Sequence, residues 1–247
     1  MIEYSKQESE IFGVDFGRLD MKSDFTDWNK LEEEIKNSRC KYIRAKIRNP
    51  TSNQTQQLNR ICKRNNLLEI LRIYSFTPDF NKEYVFSFDE YIYKDINKDN
   101  IDKLFKLIKN SYQDIPFGNY TTLDVLKVFP IEKQMKNLTD YYRKGLLKPD
   151  SNMKSQLIYN LNNEIIGCIV TELFRDCSYT NYVGVLNEFK NKHVLTKTIN
   201  FIQYQVVKNK LTAGLGGARL SNLYSQKAFE SNNMIFDGYD FIYLMEV

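Results

Sequence analysis

Lys190, Lys192 and His193 fall in one short polar run between an apolar segment, Tyr182-Val183-Gly184-Val185-Leu186, and a helical pattern around Val194 to Lys208. Successive backbone N–H groups at a strand-to-helix turn form a concave nest that, with the positive end of the helix dipole, binds a phosphate or pyrophosphate group. Basic side chains in the turn add to that attraction. His193 is the only histidine in 247 residues, which excludes any mechanism that needs a histidine pair. Nothing near it resembles a nucleophile elbow. The four cysteines, Cys40, Cys62, Cys168 and Cys177, have no C-x-x-C spacing and no second histidine to complete a zinc set. They read as reduced, mostly buried thiols, and no metal is expected. Gly214-Leu215-Gly216-Gly217 lacks both the dinucleotide fingerprint and the lysine-serine of a Walker motif, so it reads as a kinked or bulged strand.

The elements that must position these residues follow from periodicity and turn chemistry. Ile11 to Leu19 reads as a strand with glycine breaks, Asp24 to Lys36 as a helix with Trp28, Leu31 and Ile35 on one face, and Leu67 to Phe76 as a strand. Tyr42 to Arg48 alternates Ile43, Ala45 and Ile47 with Arg44, Lys46 and Arg48, a strand with one solvated basic face. A helix capped by Pro50-Thr51-Ser52-Asn53 precedes Asn65-Asn66. Beyond a boundary near residue 90, Tyr84 to Tyr93 reads as strand. A helix follows from Ile101 to Tyr112, stopped by Ile115-Pro116-Phe117-Gly118, and one or two helices lie between Leu123 and Leu147. Gln156–Leu161 and Ile165–Leu173 around Asn162-Asn163-Glu164 form a hairpin. Asn222 caps a helix over Leu223 to Ser231, and Gly238 to Val247 closes as a strand.

Composition sets the limits. With 35 basic and 31 acidic residues the net charge is +4, too small a surplus to argue for a nucleic-acid partner. The longest clean apolar run, Ile165 to Val170, is far short of the ~20 residues of a membrane helix, and Met1 to Lys6 opens no signal pattern. The chain reads as a cytoplasmic protein without membrane insertion. Its fold class is α/β, with an N-terminal α/β domain over residues 1–89 and a second domain over 90–247.

The order of elements after residue 90 resembles the GNAT N-acyltransferase superfamily. Tyr91-Ile92-Tyr93 followed by Asp99 to Leu104 resembles its opening strand and helix, and Glu164 to Ile169 its fourth strand. Val185 to Leu195 falls on the acyl-CoA motif, and Asn222 through Phe229 to Asn233-Met234 on the C-terminal pattern. Gln7 to Leu19 resembles the opening of two-domain sugar N-acyltransferases of the TDP-fucosamine acetyltransferase type.

The resemblance implies a mixed, mostly antiparallel α+β sheet flanked by helices, with a smaller GNAT-like domain before it. It implies acetyl-CoA or another acyl-CoA as cosubstrate, with its pyrophosphate on Lys190, Asn191, Lys192, His193, Val194, Leu195 and Thr196. The pantetheine arm would lie on Val183, Gly184, Val185 and Leu186, near Asn222 and Phe229. The same strand would supply N–H groups to a tetrahedral intermediate. The acceptor implied is the amine of a nucleotide-linked deoxyamino sugar for surface polysaccharide, held in a cleft between the domains with Arg18, Arg44 or Arg72 as diphosphate ligands. A homodimer is common in such enzymes. Glu172 is the first candidate base and Tyr224 the first candidate acid.

Two departures from the family pattern leave alternatives open. His193 and Leu195 stand where the family turn has glycine or alanine, and Phe229 stands where it has the tyrosine that protonates the departing thiolate. One reading is an adapted site that holds phosphate by basic side chains. The other is a catalytically inactive scaffold serving as a binding or assembly protein.

Overall fold

The computed structural model describes residues 2–22, 24–61, 67–87, 89–111, 131–148, 150–190, 192–220 and 222–247. The chain divides into two compact units, Met1–Arg72 with Pro116–Tyr141 and Gly238–Val247, and Ile73–Ile115 with Tyr142–Asp237. The first ninety residues, expected as one domain, thus supply the first unit up to Arg72 and the second from Ile73.

In the first unit the chain runs through β1 (Glu3–Tyr4), α1 (Lys6–Phe12), β2 (Phe16–Met21), α2 (Trp28–Lys36), β3 (Tyr42–Arg48), α3 (Ser52–Ile61) and the start of β4 (Leu67–Phe76). The strand expected over Ile11–Leu19 is instead the end of α1 followed by β2. Ser5 Oγ accepts from Glu8 N–H at one end of α1, and Gly13, at φ 68°, donates to Ser9 O at the other. This left-handed cap is the use glycine serves here. Strands β2 and β3 pair in parallel around the α2 crossover, with Arg18 beside Arg44. Leu19, Leu31, Ile43, Ala45, Ile47, Leu58 and Tyr243 form this unit's core.

The basic face of β3 is not simply solvated. Glu8 places its buried carboxylate between Arg18 Nε at 2.8 Å and Arg44 Nε at 3.0 Å, and Arg48 Nη1 meets Asp240 Oδ1 at 2.8 Å. Half-buried guanidinium groups need such counter-charges, which polar alternation alone does not announce.

The second unit contains β5 (Tyr91–Asp95), α4 (Ile101–Ser111), the end of α5 (Ile131–Leu146), β6 (Met153–Asn160), β7 (Ile165–Phe174) and β8 (Cys177–Val185). After these come α6 (Val194–Lys208), β9 (Ala213–Arg219), α7 (Leu223–Ser231) and the start of β10 (Ile235–Glu246). Its strand order is β9-β8-β7-β6-β5, antiparallel throughout except for the parallel pair β8 and β9. Among the described residues of the strand expected over Tyr84–Tyr93, only those from Tyr91 are strand. The hairpin is present, with Asn163 at φ 61° in its turn, the conformation asparagine tolerates best among residues with a side chain. Counted from the opening strand Tyr91–Asp95, Ile165–Phe174 is the third strand, after Met153–Asn160, and Cys177–Val185 is the fourth.

Alternation along β7 and β8 assigns their faces. Ile169 and Val183 are register partners and share a cluster with Ile199, Phe201 and Ile202 of α6, so that face packs on α6. Cys168 pairs with Gly184 on the opposite face. The stop expected at Ile115–Gly118 lies outside the described residues, as does Cys62.

Candidate functional site

Strands β8 and β9 pair only at their beginnings. The parallel register joins Cys177–Thr180 to Ala213–Gly216, after which β8 runs on to Val185 and β9 to Arg219. At the same point the β7–β8 register steps from Thr171 opposite Thr180 to Val170 opposite Tyr182, leaving Asn181 as the extra residue of a bulge. A bulge adds local twist and ends regular pairing. Pairing of the two parallel strands stops at Thr180 and Gly216, and beyond these residues they face each other across a gap with no ladder hydrogen bonds.

The direction of the β8 backbone in this gap follows from one hydrogen bond. Leu186 N–H donates to Ile166 O at 2.9 Å, so by strand alternation Tyr182 and Gly184 also direct their N–H and C=O groups toward β7. Val183 and Val185 direct theirs into the gap. Of the four strand residues expected to hold a pantetheine arm, these two offer the backbone groups, while Gly184 lies beneath the Tyr182 ring. A Cβ on Gly184 would meet Tyr182 Oη at 2.5 Å.

The open end of the gap leads to the turn. A short 3₁₀ turn over Asn187–Phe189 is followed by Lys190 in extended conformation and His193 in the left-handed conformation, φ 56° and ψ 10°. His193 thus adopts the backbone geometry that glycine favours, and its side chain makes no cap to α6. Helix geometry gives the first-turn N–H groups of Val194, Leu195 and Thr196 no intrahelical acceptor, so they form the electropositive end of α6.

Lys190 and Lys192 are exposed at this end, with Lys192 Nζ 4.8 Å from the centre of the Phe189 ring. Tyr91 Oη holds the turn by donating to Lys192 O at 2.8 Å, and burial beside the Glu90 carboxylate raises its pKa, which keeps it a donor. Asn232 Nδ2 donates to both Thr196 O and Ala228 O at 2.8 Å, tying the first turn of α6 to the end of α7. Asn191 lies outside the described residues.

Glu172, half-buried on β7, accepts from Asn152 Nδ2 at 2.9 Å and from Asn181 Nδ2 at 3.1 Å. Both carboxylate oxygens are held, and Glu172 is the register partner of Tyr179, one residue before Thr180 on β8, on the face opposite α6. Asn222 caps α7 by accepting from Ser225 N–H at 3.1 Å. Tyr224, one residue into α7, is 73% exposed, whereas Phe229 is 5% exposed. The Phe229 ring stacks on Tyr74 with centroids 4.9 Å apart, and Tyr74 Oη donates to Glu230 Oε1 at 3.0 Å. A Cβ on Gly216 would lie 2.7 Å from Phe229 Cε1, so this glycine makes room for the ring, and the glycine-rich segment expected as a strand lies within β9.

The residues expected over Val183–Leu186 and Lys190–Thr196 thus follow one another around the gap, apart from Asn191. Sequence reasoning missed Asn181, Asn152 and Asn232. Asn181 carried a signal, because asparagine is disfavoured within a strand of Tyr179, Thr180, Tyr182 and Val183 unless that strand is irregular.

No protein-family model and no curated protein sequence matches the chain. Solved structures do. A conserved Staphylococcus epidermidis protein of unknown function superposes with a TM-score of 0.67 at 13% identity, covering 99% of this chain and 90% of that one. A GCN5-related N-acetyltransferase from Kribbella flavida gives 0.56 at 7% identity, covering 94% and 81%. Another from Sphaerobacter thermophilus gives 0.53 at 10% identity, covering 83% of this chain and 59% of that one. With its mostly antiparallel sheet, the parallel pair β8 and β9 that stops pairing beside a bulge and the helix that starts at the open end, the chain has the fold of the GNAT N-acetyltransferases.

Proposed function

We propose that this chain is an acyl-CoA-dependent N-acyltransferase. The observation that carries the reading is the parted strand pair. It presents the backbone of Val183 and Val185 beside a gap that ends at the positive terminus of α6, where Lys190 and Lys192 stand. A pantetheine arm extends the β8 edge as an added strand would, and the pyrophosphate meets the α6 N-terminus and the two lysines. The thioester then lies toward Thr180 and Gly216, with Val183 N–H as donor to the oxyanion.

The reaction forms a C–N bond and breaks a C–S bond. Glu172, oriented by Asn152 and Asn181, takes the proton that the amine loses. A thiol of ordinary pKa, ~8.5, leaves readily as thiolate, so water or the exposed Tyr224 hydroxyl suffices where Phe229 offers no proton. Positioning of amine against thioester supplies the rest of the acceleration.

For the acceptor we propose the amine of a nucleotide-linked amino sugar, on the resemblance of the Gln7–Leu19 segment to sugar N-acyltransferases. Arg18 and Arg44 are engaged by Glu8, which leaves them poorly placed as diphosphate ligands. The experiment is a calorimetric titration with acetyl-CoA, repeated on Lys190→Ala/Lys192→Ala. Saturable binding that weakens tenfold or more in the double variant is expected. A folded wild-type protein that binds neither acetyl-CoA nor longer acyl-CoAs overturns the reading.

A further inference from the structure

Phe229 packs where the two parallel strands divide. Its ring edge rests on Gly216, the last β9 residue paired with β8, and its face rests on Tyr74. Behind it is a small, narrow cavity with a water-accessible volume of about 10 Å³, whose walls include Thr180, Ile199, Gln203, Gly214 and Leu215 as well as Phe229 itself. Gly214 and Leu215 precede Gly216 along β9, so the cavity lies on the closed side of the dividing point and the gap on the open side. The Phe229 ring stands between them. The cavity holds about one water molecule, and its lining is apolar apart from Thr180 and Gln203.

We infer that Phe229 sets the length of the acyl group the protein accepts, acting as the wall between the thioester position and this cavity. The inference rests on the acyl-CoA reading above. An arm that enters at the α6 N-terminus and runs along Val185 and Val183 reaches Thr180 and Gly216 with its sulfur, so the acyl carbons beyond the sulfur point at the Phe229 ring. An acetyl methyl stops short of that wall. A hexanoyl chain meets it and has no path into the cavity while the ring is in place. Removing the six ring carbons joins cavity to gap and creates an apolar slot in line with the chain.

The test is calorimetric titration of wild type and Phe229→Ala with CoA, acetyl-CoA and hexanoyl-CoA. Burying two of the four added methylenes corresponds to about a tenfold gain in affinity. The expected result is therefore that wild type favours acetyl-CoA, while Phe229→Ala shifts the hexanoyl-to-acetyl affinity ratio, each referred to that protein's own affinity for CoA, by tenfold or more toward hexanoyl. The same ratio in both proteins, with CoA still bound, overturns the wall and leaves the acyl-CoA reading standing. Absence of CoA binding in the folded wild type overturns both. Should Phe229→Ala fail to fold, Phe229→Leu keeps the core filled while removing the ring edge, and a ratio unchanged in that variant counts against the wall in the same way.

Discussion

Asn181, the one residue that the β7–β8 register skips, donates its side-chain amide to Glu172 Oε2 at 3.1 Å. The irregularity that parts β8 from β9 is therefore the same one that holds the carboxylate. With Asn152 on the other oxygen, Glu172 has a fixed orientation before any substrate binds. Glu172→Gln keeps the shape and removes the base. Steady-state kinetics with an amine acceptor are expected to show kcat reduced by about 10²-fold or more, with acetyl-CoA affinity unchanged. Asn181→Ala loses orientation only and is expected to fall between wild type and Glu172→Gln.

His193 adopts φ 56° without a compensating side-chain hydrogen bond to its helix. The left-handed conformation costs a residue with a Cβ about 1 kcal/mol that glycine does not incur. His193→Gly is expected to be more stable than His193→Ala by about that amount, measured by urea denaturation. Equal stabilities of the two variants would argue that the turn changes conformation when the imidazole is removed.

Glu8 is the shared counter-charge of Arg18 and Arg44, with its side chain 6% exposed and that of Arg18 37% exposed. Glu8→Ala leaves two guanidinium groups facing each other across adjacent strands. The expected loss is about 2 kcal/mol, less than for a fully buried pair because water reaches Arg18. Glu32→Ala, which removes a surface partner of Arg60, is the control and is expected to cost about 0.5 kcal/mol or less by the same denaturation measurement.

Complete burial pushes the Cys168 thiol from 9.0 up to about 12. The unfolded chain releases this proton near pH 9 while the folded chain retains it. Stability is therefore full below pH 9 and declines as pH rises toward 12, by at most about 1.4 kcal/mol per pH unit for this one group. Burial also raises Tyr93 above its ordinary 10.0, which adds to the decline only at higher pH. Urea melts between pH 8 and 10 are expected to show a decline that is shallower in Cys168→Ala.

Periodicity and turn chemistry carried much of this fold. Tyr42–Arg48, Ile101–Ser111 and the Asn163 hairpin form because apolar spacing and local turn residues agree there. Gln7 to Phe12 misled because Ile11-Phe12-Gly13-Val14 reads as a broken strand until Ser5 and Gly13 are seen to cap a helix from both ends. In the site, the turn between strand and helix was legible from the polar run of Lys190 and Lys192 and the apolar spacing of the helix that follows. Parting of β8 from β9 was not, because pairing that stops halfway along two strands depends on twist and register rather than on composition. The amide contacts of Asn152, Asn181 and Asn232 join residues distant in sequence, and no local pattern encodes them.

A bulge reverses the facing of every residue beyond it. Thr180 lines the cavity under α6, while Asn181 reaches Glu172 on the opposite face. In the proposed reaction, the acyl group and the amine would meet the sheet from two sides that share backbone but few side chains. Substitutions on one side are expected to combine additively with those on the other. Over evolutionary time, such a layout lets preference for one substrate drift while that for the other stays under selection.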